Sequence, residues 1–210
     1  MKKIVCFLLM LCLLASLASC GGYTKTTADR EGCDEFLSLL LKEGEDIALS
    51  GEPYDAAHCY RVTPAQVKKN SDIEIYRFSN SFASLALRDG RVVKLGDTMG
   101  KYGFVDGIAH DVNGDGVADL VFTSSWGLGI HRALLSIMDG ATGEVTCFYD
   151  STADSGKSTD FVLQQNKDGS ISVLTAHIRF SGDEGRLSYL LDTPVGQIDL
   201  SNGGSFIPKG

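Results

Sequence analysis

Asp111-Val112-Asn113-Gly114-Asp115-Gly116-Val117-Ala118-Asp119, running on into Leu120-Val121-Phe122-Thr123, is the stretch on which the reading of this chain turns. Oxygen-bearing side chains stand at loop positions 1, 3, 5 and 9, and Gly116 stands at position 6. Ca²⁺ is a hard ion that takes about 6–8 oxygen ligands and accepts neutral carbonyls beside carboxylates. The alternate spacing lets Asp111, Asn113 and Asp115 turn towards one ion, Gly116 permits the bend, the Val117 carbonyl supplies a neutral ligand and Asp119 closes the shell. The competing reading is a hairpin turn rich in Asp, Asn and Gly that satisfies only its own backbone. An EF-hand needs a bidentate Glu at position 12, where Phe122 stands. Leu120 to Thr123 is apolar and β-branched, so the loop is expected to feed a buried strand rather than a helix.

Outward from this loop the apolar residues keep a period of two. Runs at Ile73–Phe78, Phe82–Leu87 and Val92–Leu95 surround Asp89-Gly90, a hairpin signal. The same punctuation recurs at Asp139-Gly140 between Leu134–Met138 and Val145–Tyr149, and at Asp168-Gly169 between Phe161–Leu163 and Ile171–Leu174. Further strands are expected at Ala176–Phe180, Leu187–Leu191 and Gln197–Leu200. Upstream, Phe36, Leu37, Leu40 and Leu41 share one helical face, with acids leading and Gly44 following. The pattern predicts a short helix over 34–44 and a further turn near Thr63–Lys68. The expected fold is mainly β, with antiparallel blade-like sheets, hairpins and one short N-terminal helix, over residues 33–202. Residues 203–210 have no pattern and read as a loose tail.

The segment Ala109 to Val121 resembles the calcium loops of the FG-GAP/VCBS repeat family, found in integrin α-chain propellers and many bacterial surface proteins. The resemblance implies a loop joining two neighbouring strands of a blade, with a structural ion. Only one such loop is present, and Gly103-Phe104 reverses the dipeptide that names the family. A closed propeller takes at least four blades of four strands, more than the roughly ten strands expected here. The sheets are therefore expected not to close into a propeller.

At the N-terminus, Lys2 and Lys3 precede an unbroken apolar run from Ile4 to Leu14. A spanning helix needs about 20 apolar residues, so the run is too short and has the flanks of a signal peptide. Leu17-Ala18-Ser19-Cys20 resembles the lipobox of bacterial lipoproteins. That resemblance implies cleavage before Cys20 and transfer of a diacylglyceryl group to its thiol, and two acyl chains anchor stably where one is marginal. Residues 1–19 are then a signal peptide and 20–32 a flexible tether. The product is expected to be exported and held at the cell membrane, facing away from the cytoplasm.

With 19 Lys+Arg against 27 Asp+Glu the net charge is −8, and loss of Lys2 and Lys3 with the leader makes the remainder more acidic. Without a basic block the chain has no electrostatic reason to bind nucleic acid. Cations and a protein or glycan partner at the envelope are the expected company. Past the leader and Cys20 remain Cys33, Cys59 and Cys147, widely spaced and without the look of a zinc or redox site. One disulfide is permitted in an exported protein, Cys33–Cys59 closing the shortest loop, and buried free thiols satisfy the sequence equally well.

The segment Ser124–Arg132 carries Trp126, His131 and Arg132. It reads either as a binding loop or as a plain strand connection whose Trp covers the core. No His-Glu-x-x-His or Gly-x-Ser-x-Gly is present, so no catalytic motif is recognised. Gly156-Lys157-Ser158 imitates the end of a phosphate loop without its leading Gly. The expected role is calcium-supported binding at the envelope. The alternatives are an envelope-polymer hydrolase pairing His131 with an acid, and a structural subunit of a larger envelope assembly.

Overall fold

Strand β7 (Asp119–Trp126) is buried almost from end to end, and its alternation sorts the core. Leu120 and Phe122 pack to one side with Ile75, Ala86 and Leu95, while Val121 packs to the other with Phe161, Leu163 and Val173. Such two-sided burial requires a layer on each face, because successive strand side chains point in opposite directions. The computed structural model describes residues 24–42, 54, 56–96, 102–127, 132–151, 160–181 and 185–209.

Three antiparallel sheets supply the layers. The central one is the meander β6 (Gly103–His110), β7, β8 (Arg132–Met138) and β9 (Val145–Asp150). On one side lies a second meander, β2 (Cys59–Arg61), β3 (Glu74–Phe78), β4 (Ser84–Arg88) and β5 (Arg91–Lys94). On the other lies β10 (Asp160–Gln165), β11 (Ile171–Ser181) and β12 (Arg186–Asp199), extended by β1 (Thr24–Lys25) and β13 (Ser205–Pro208), both paired with β12. The fold is mainly β and antiparallel, with curved sheets that do not close into a propeller.

Helix α1 (Cys33–Lys42) covers the outer face of the second sheet. Phe36, Leu37 and Leu40 turn inward and Leu41 faces solvent, so the apolar stripe is narrower than its sequence suggests. The Phe36 ring stacks on Tyr76 with centroids 4.1 Å apart and 4° between planes. Helix α2 (Ala65–Asn70) follows Pro64, whose missing N–H costs nothing at a helix start, and buries Val67. Among the described residues no helix is long and apolar enough to cross a membrane.

Three expectations need correction. The strands predicted at Ala176–Phe180 and Ile171–Leu174 are one strand, as are those at Leu187–Leu191 and Gln197–Leu200. Pro194 sits opposite Leu174 where the ladder shifts register, the kind of position that tolerates a residue without an N–H. The tail is not loose, because Phe206 and Ile207 pair with Ile198 and Gln197. Nor is the segment before Cys33 wholly tether: Thr24 and Lys25 pair with Tyr189 and Ser188, and Asp29 bridges to Arg61. Those short segments lack internal periodicity and are held by the strands they join.

Candidate metal centre

The loop from Asp111 to Asp119 joins β6 to β7, with His110 paired to Asp119 at its base. Its curl is written in side-chain acceptors. The two Asp111 carboxylate oxygens accept the N–H groups of Gly114 at 2.8 Å and Gly116 at 3.0 Å. Asn113 Oδ1 accepts the Asp115 N–H at 3.0 Å, and Asp115 Oδ1 accepts the Val117 N–H at 2.7 Å. Gly114 and Gly116 adopt φ of +76° and +84° with open space around them. Backbone strain alone therefore selects glycine at these two positions.

Asp119 has a different place. It is 1% exposed, and its oxygens accept the Val112 N–H at 2.8 Å and the Gly140 N–H at 2.7 Å. One carboxylate thus closes its own loop and holds the turn between β8 and β9. A side chain at Gly140 would collide with the Ala118 carbonyl and the Arg88 guanidinium, so the two loops touch through backbone. Arg88 donates to the Ala118 carbonyl at 2.6 Å and pairs with Asp72 at 3.1 Å, tying the second sheet to the same corner.

Two acids that the sequence reading passed over stand here. Asp139 accepts the Asn113 amide at 3.2 Å, and the Thr142 N–H, at 2.7 Å, holds its carboxyl below the usual range. With Glu144 it lines a cleft of about 230 Å³ shared with Asn113, Asp119 and Thr146. Asp139-Gly140 was legible only as a hairpin signal, because the neighbouring turn is brought alongside by the β7–β8 pairing.

The donors expected from the sequence, Asp111, Asn113, Asp115, Val117 and Asp119, would all offer oxygen, as Ca²⁺ chemistry requires. Each Asp111 oxygen spends one acceptor site on a loop N–H, and an ionised carboxylate has about four. Capacity for a cation remains. Among the described residues, no group of three or more His, Cys, Asp or Glu side chains is placed to hold a metal ion. Asp119 is turned to its N–H partners, and loading the loop requires the other carboxylates to draw together.

Trp126 and Arg132 face each other across the β7–β8 pair, with the guanidinium 4.4 Å above the indole and 3.0 Å from Asp150. The two cross-brace a hairpin end rather than extending on a free loop. His131, Cys20, the signal segment and Gly156-Lys157-Ser158 lie outside the described residues.

Asp106 is the acid that only the fold reveals. It accepts the Leu163 N–H at 2.9 Å, joining the central sheet to β10, and also the Gly107 N–H at 2.9 Å. Burial pushes its carboxyl up to about 6 in spite of those two bonds. It borders a cleft of about 200 Å³ with Lys25, Thr26, Pro64 and Tyr189. Alternation in Gly103–His110 does not distinguish this acid from a solvated one.

No family model, no curated protein and no solved structure matches the chain.

Proposed function

We propose that this chain is an exported, lipid-anchored β protein that binds calcium through the 111–119 loop and acts in recognition at the bacterial cell envelope. The observation that carries the calcium reading is the pair of N–H groups, from Gly114 and Gly116, that converge on the Asp111 carboxylate. They wind an oxygen-rich loop around its own first ligand. Calcium bound there would offset the repulsion among Asp111, Asp115 and Asp119, which no basic side chain within the loop relieves. Asn113 would carry that order to Asp139 and the neighbouring turn, stiffening the surface around the shared cleft. The partner is a protein or a glycan. Anchoring is supported by Lys2, Lys3, the Ile4–Leu14 run and Leu17-Ala18-Ser19-Cys20.

Calcium titration by calorimetry tests the loop, with dissociation expected at about 10⁻⁴–10⁻³ M or somewhat tighter. Absence of binding at millimolar calcium removes the ion from the reading. Mass analysis of membrane-extracted protein tests the anchor. The expected product begins at a diacylglyceryl-modified Cys20, and Cys20→Ala should leave the leader attached.

A further inference from the structure

Cys33 opens α1 and Cys59 opens β2, two elements in direct contact. Both side chains are buried, at 3% and 0% exposure, among Phe36, Leu37, Tyr76, Phe78 and Leu85. The two side chains share one core cluster and lie close enough to perturb each other. Cys147, the remaining cysteine of the domain, is exposed on β9 in another sheet. The sequence leaves the pairing open, and the fold resolves it by bringing two of the three sulfurs to one point in the core.

We propose that Cys33 and Cys59 are a disulfide pair, closed by exchange with an external disulfide, that staples α1 to β2. The two sulfurs are unequal. The neighbouring Cys59 pulls the Cys33 thiol below its ordinary range, opposed by burial and helped by the Arg61 N–H and the Arg30 charge. Its place in the first turn of a helix acts in the same direction. Cys33 and burial push Cys59 up. These differences belong to the docked state; before docking either thiolate attacks, and when Cys33 attacks first a mixed disulfide forms. The Cys33 sulfur bonds to one sulfur of the oxidant, an oxidised dithiol carrier or oxidised glutathione, and the other oxidant sulfur leaves as a thiolate. Cys59 then loses its proton and attacks the Cys33 sulfur, and the second oxidant thiolate departs. Two protein thiols become one S–S bond, two protons are released and two electrons reduce the oxidant. Since both thiols are buried in the folded chain, exchange takes place before α1 docks. The physiological setting rests on the export reading above; the pairing itself does not.

The test equilibrates the full chain in oxidised and reduced glutathione, then denatures, alkylates and maps the peptides. A linked Cys33–Cys59 peptide is expected, with Cys147 alkylated. Excess reductant should lower Tm by roughly 5–15 °C, as closure of a loop of this length implies. Cys33→Ala and Cys59→Ala should each abolish the linked peptide and the reductant dependence of Tm. Alkylation of Cys33, Cys59 and Cys147 alike in oxidising buffer, or links running through Cys147, would overturn the pairing. A linked peptide in buffer beside reduced thiols in freshly extracted protein supports the pair and counts against export.

Discussion

The buried carboxylate of Asp119 accepts the Gly140 N–H at 2.7 Å, so one side chain of the 111–119 loop holds the turn of the next hairpin. Its second oxygen takes the Val112 N–H. Asp119→Ala leaves both donors without an acceptor, and an orphaned buried donor costs about 1–3 kcal/mol. The expected loss is about 2–4 kcal/mol by urea unfolding in chelator, and larger in calcium, where a proposed ligand goes with it. Asp119→Asn keeps one acceptor and should lose about half as much. A change below 1 kcal/mol for the alanine variant would mean that the two loops are not held through this residue.

Asp115 supplies the contrast. It is exposed, and its hydrogen bond is to the Val117 N–H, so Asp115→Ala should barely alter Tm in chelator. With calcium at ten times its dissociation constant, the unaltered loop gains about 1.4 kcal/mol by mass action, a rise of about 3–6 °C. The variant should lose that rise. Equal Tm changes in calcium and in chelator would assign Asp115 a purely structural role.

Much of this corner was legible because it is local. The spacing of Asp111, Asn113 and Asp115 reports a curled loop, and Leu120-Val121-Phe122 reports a strand buried on both faces. Asp119 was read only as a ligand, since its second partner, Gly140, is supplied by a strand pairing that no local pattern encodes. Asp106 was missed for the same reason: its acceptor duty towards Leu163 crosses from one sheet to another. Phe206 and Thr24 gave no strand signal because each segment is short and takes its order from β12. Interactions within a hairpin leave a periodic trace in sequence, and interactions between sheets do not.

The half-buried acid Asp106 gives the protein a pH dependence of definite sign. The Asp106 carboxyl lies near 6 in the folded chain against an ordinary 3.8. Between those values the folded state binds more protons than the unfolded one, so this group's contribution to stability falls as pH rises from about 4 to about 6 and is level above. A shift of about two units corresponds to at most about 3 kcal/mol, and partial exposure of the residue reduces it. Asp139, Asp168 and Asp199 are shifted downward, so their contributions are lost only as pH falls below about 4, outside this window. Urea unfolding between pH 4.5 and 7 should show the decline, and Asp106→Asn should flatten it while lowering stability overall through one lost acceptor. An unchanged slope in the variant would place the responsible group elsewhere.

Docking of α1 centres on the Phe36 ring. Phe36 is fully buried, stacked on Tyr76 and 6.4 Å from Phe78, while Leu41 on the opposite face is 72% exposed. Ten residues are too few for a helix to persist alone in water, so its order derives from packing of Phe36, Leu37 and Leu40 on the second sheet. Phe36→Ala should cost about 3–5 kcal/mol, the usual range for emptying a buried aromatic site. Phe36→Leu retains most of the volume and should cost less. Hydrogen exchange separates a local effect from a global one. Amides of Phe36 to Leu40 should lose protection in the alanine variant at denaturant levels where β7 amides remain protected. Uniform loss across both elements would instead show that α1 and the central sheet unfold as a single unit.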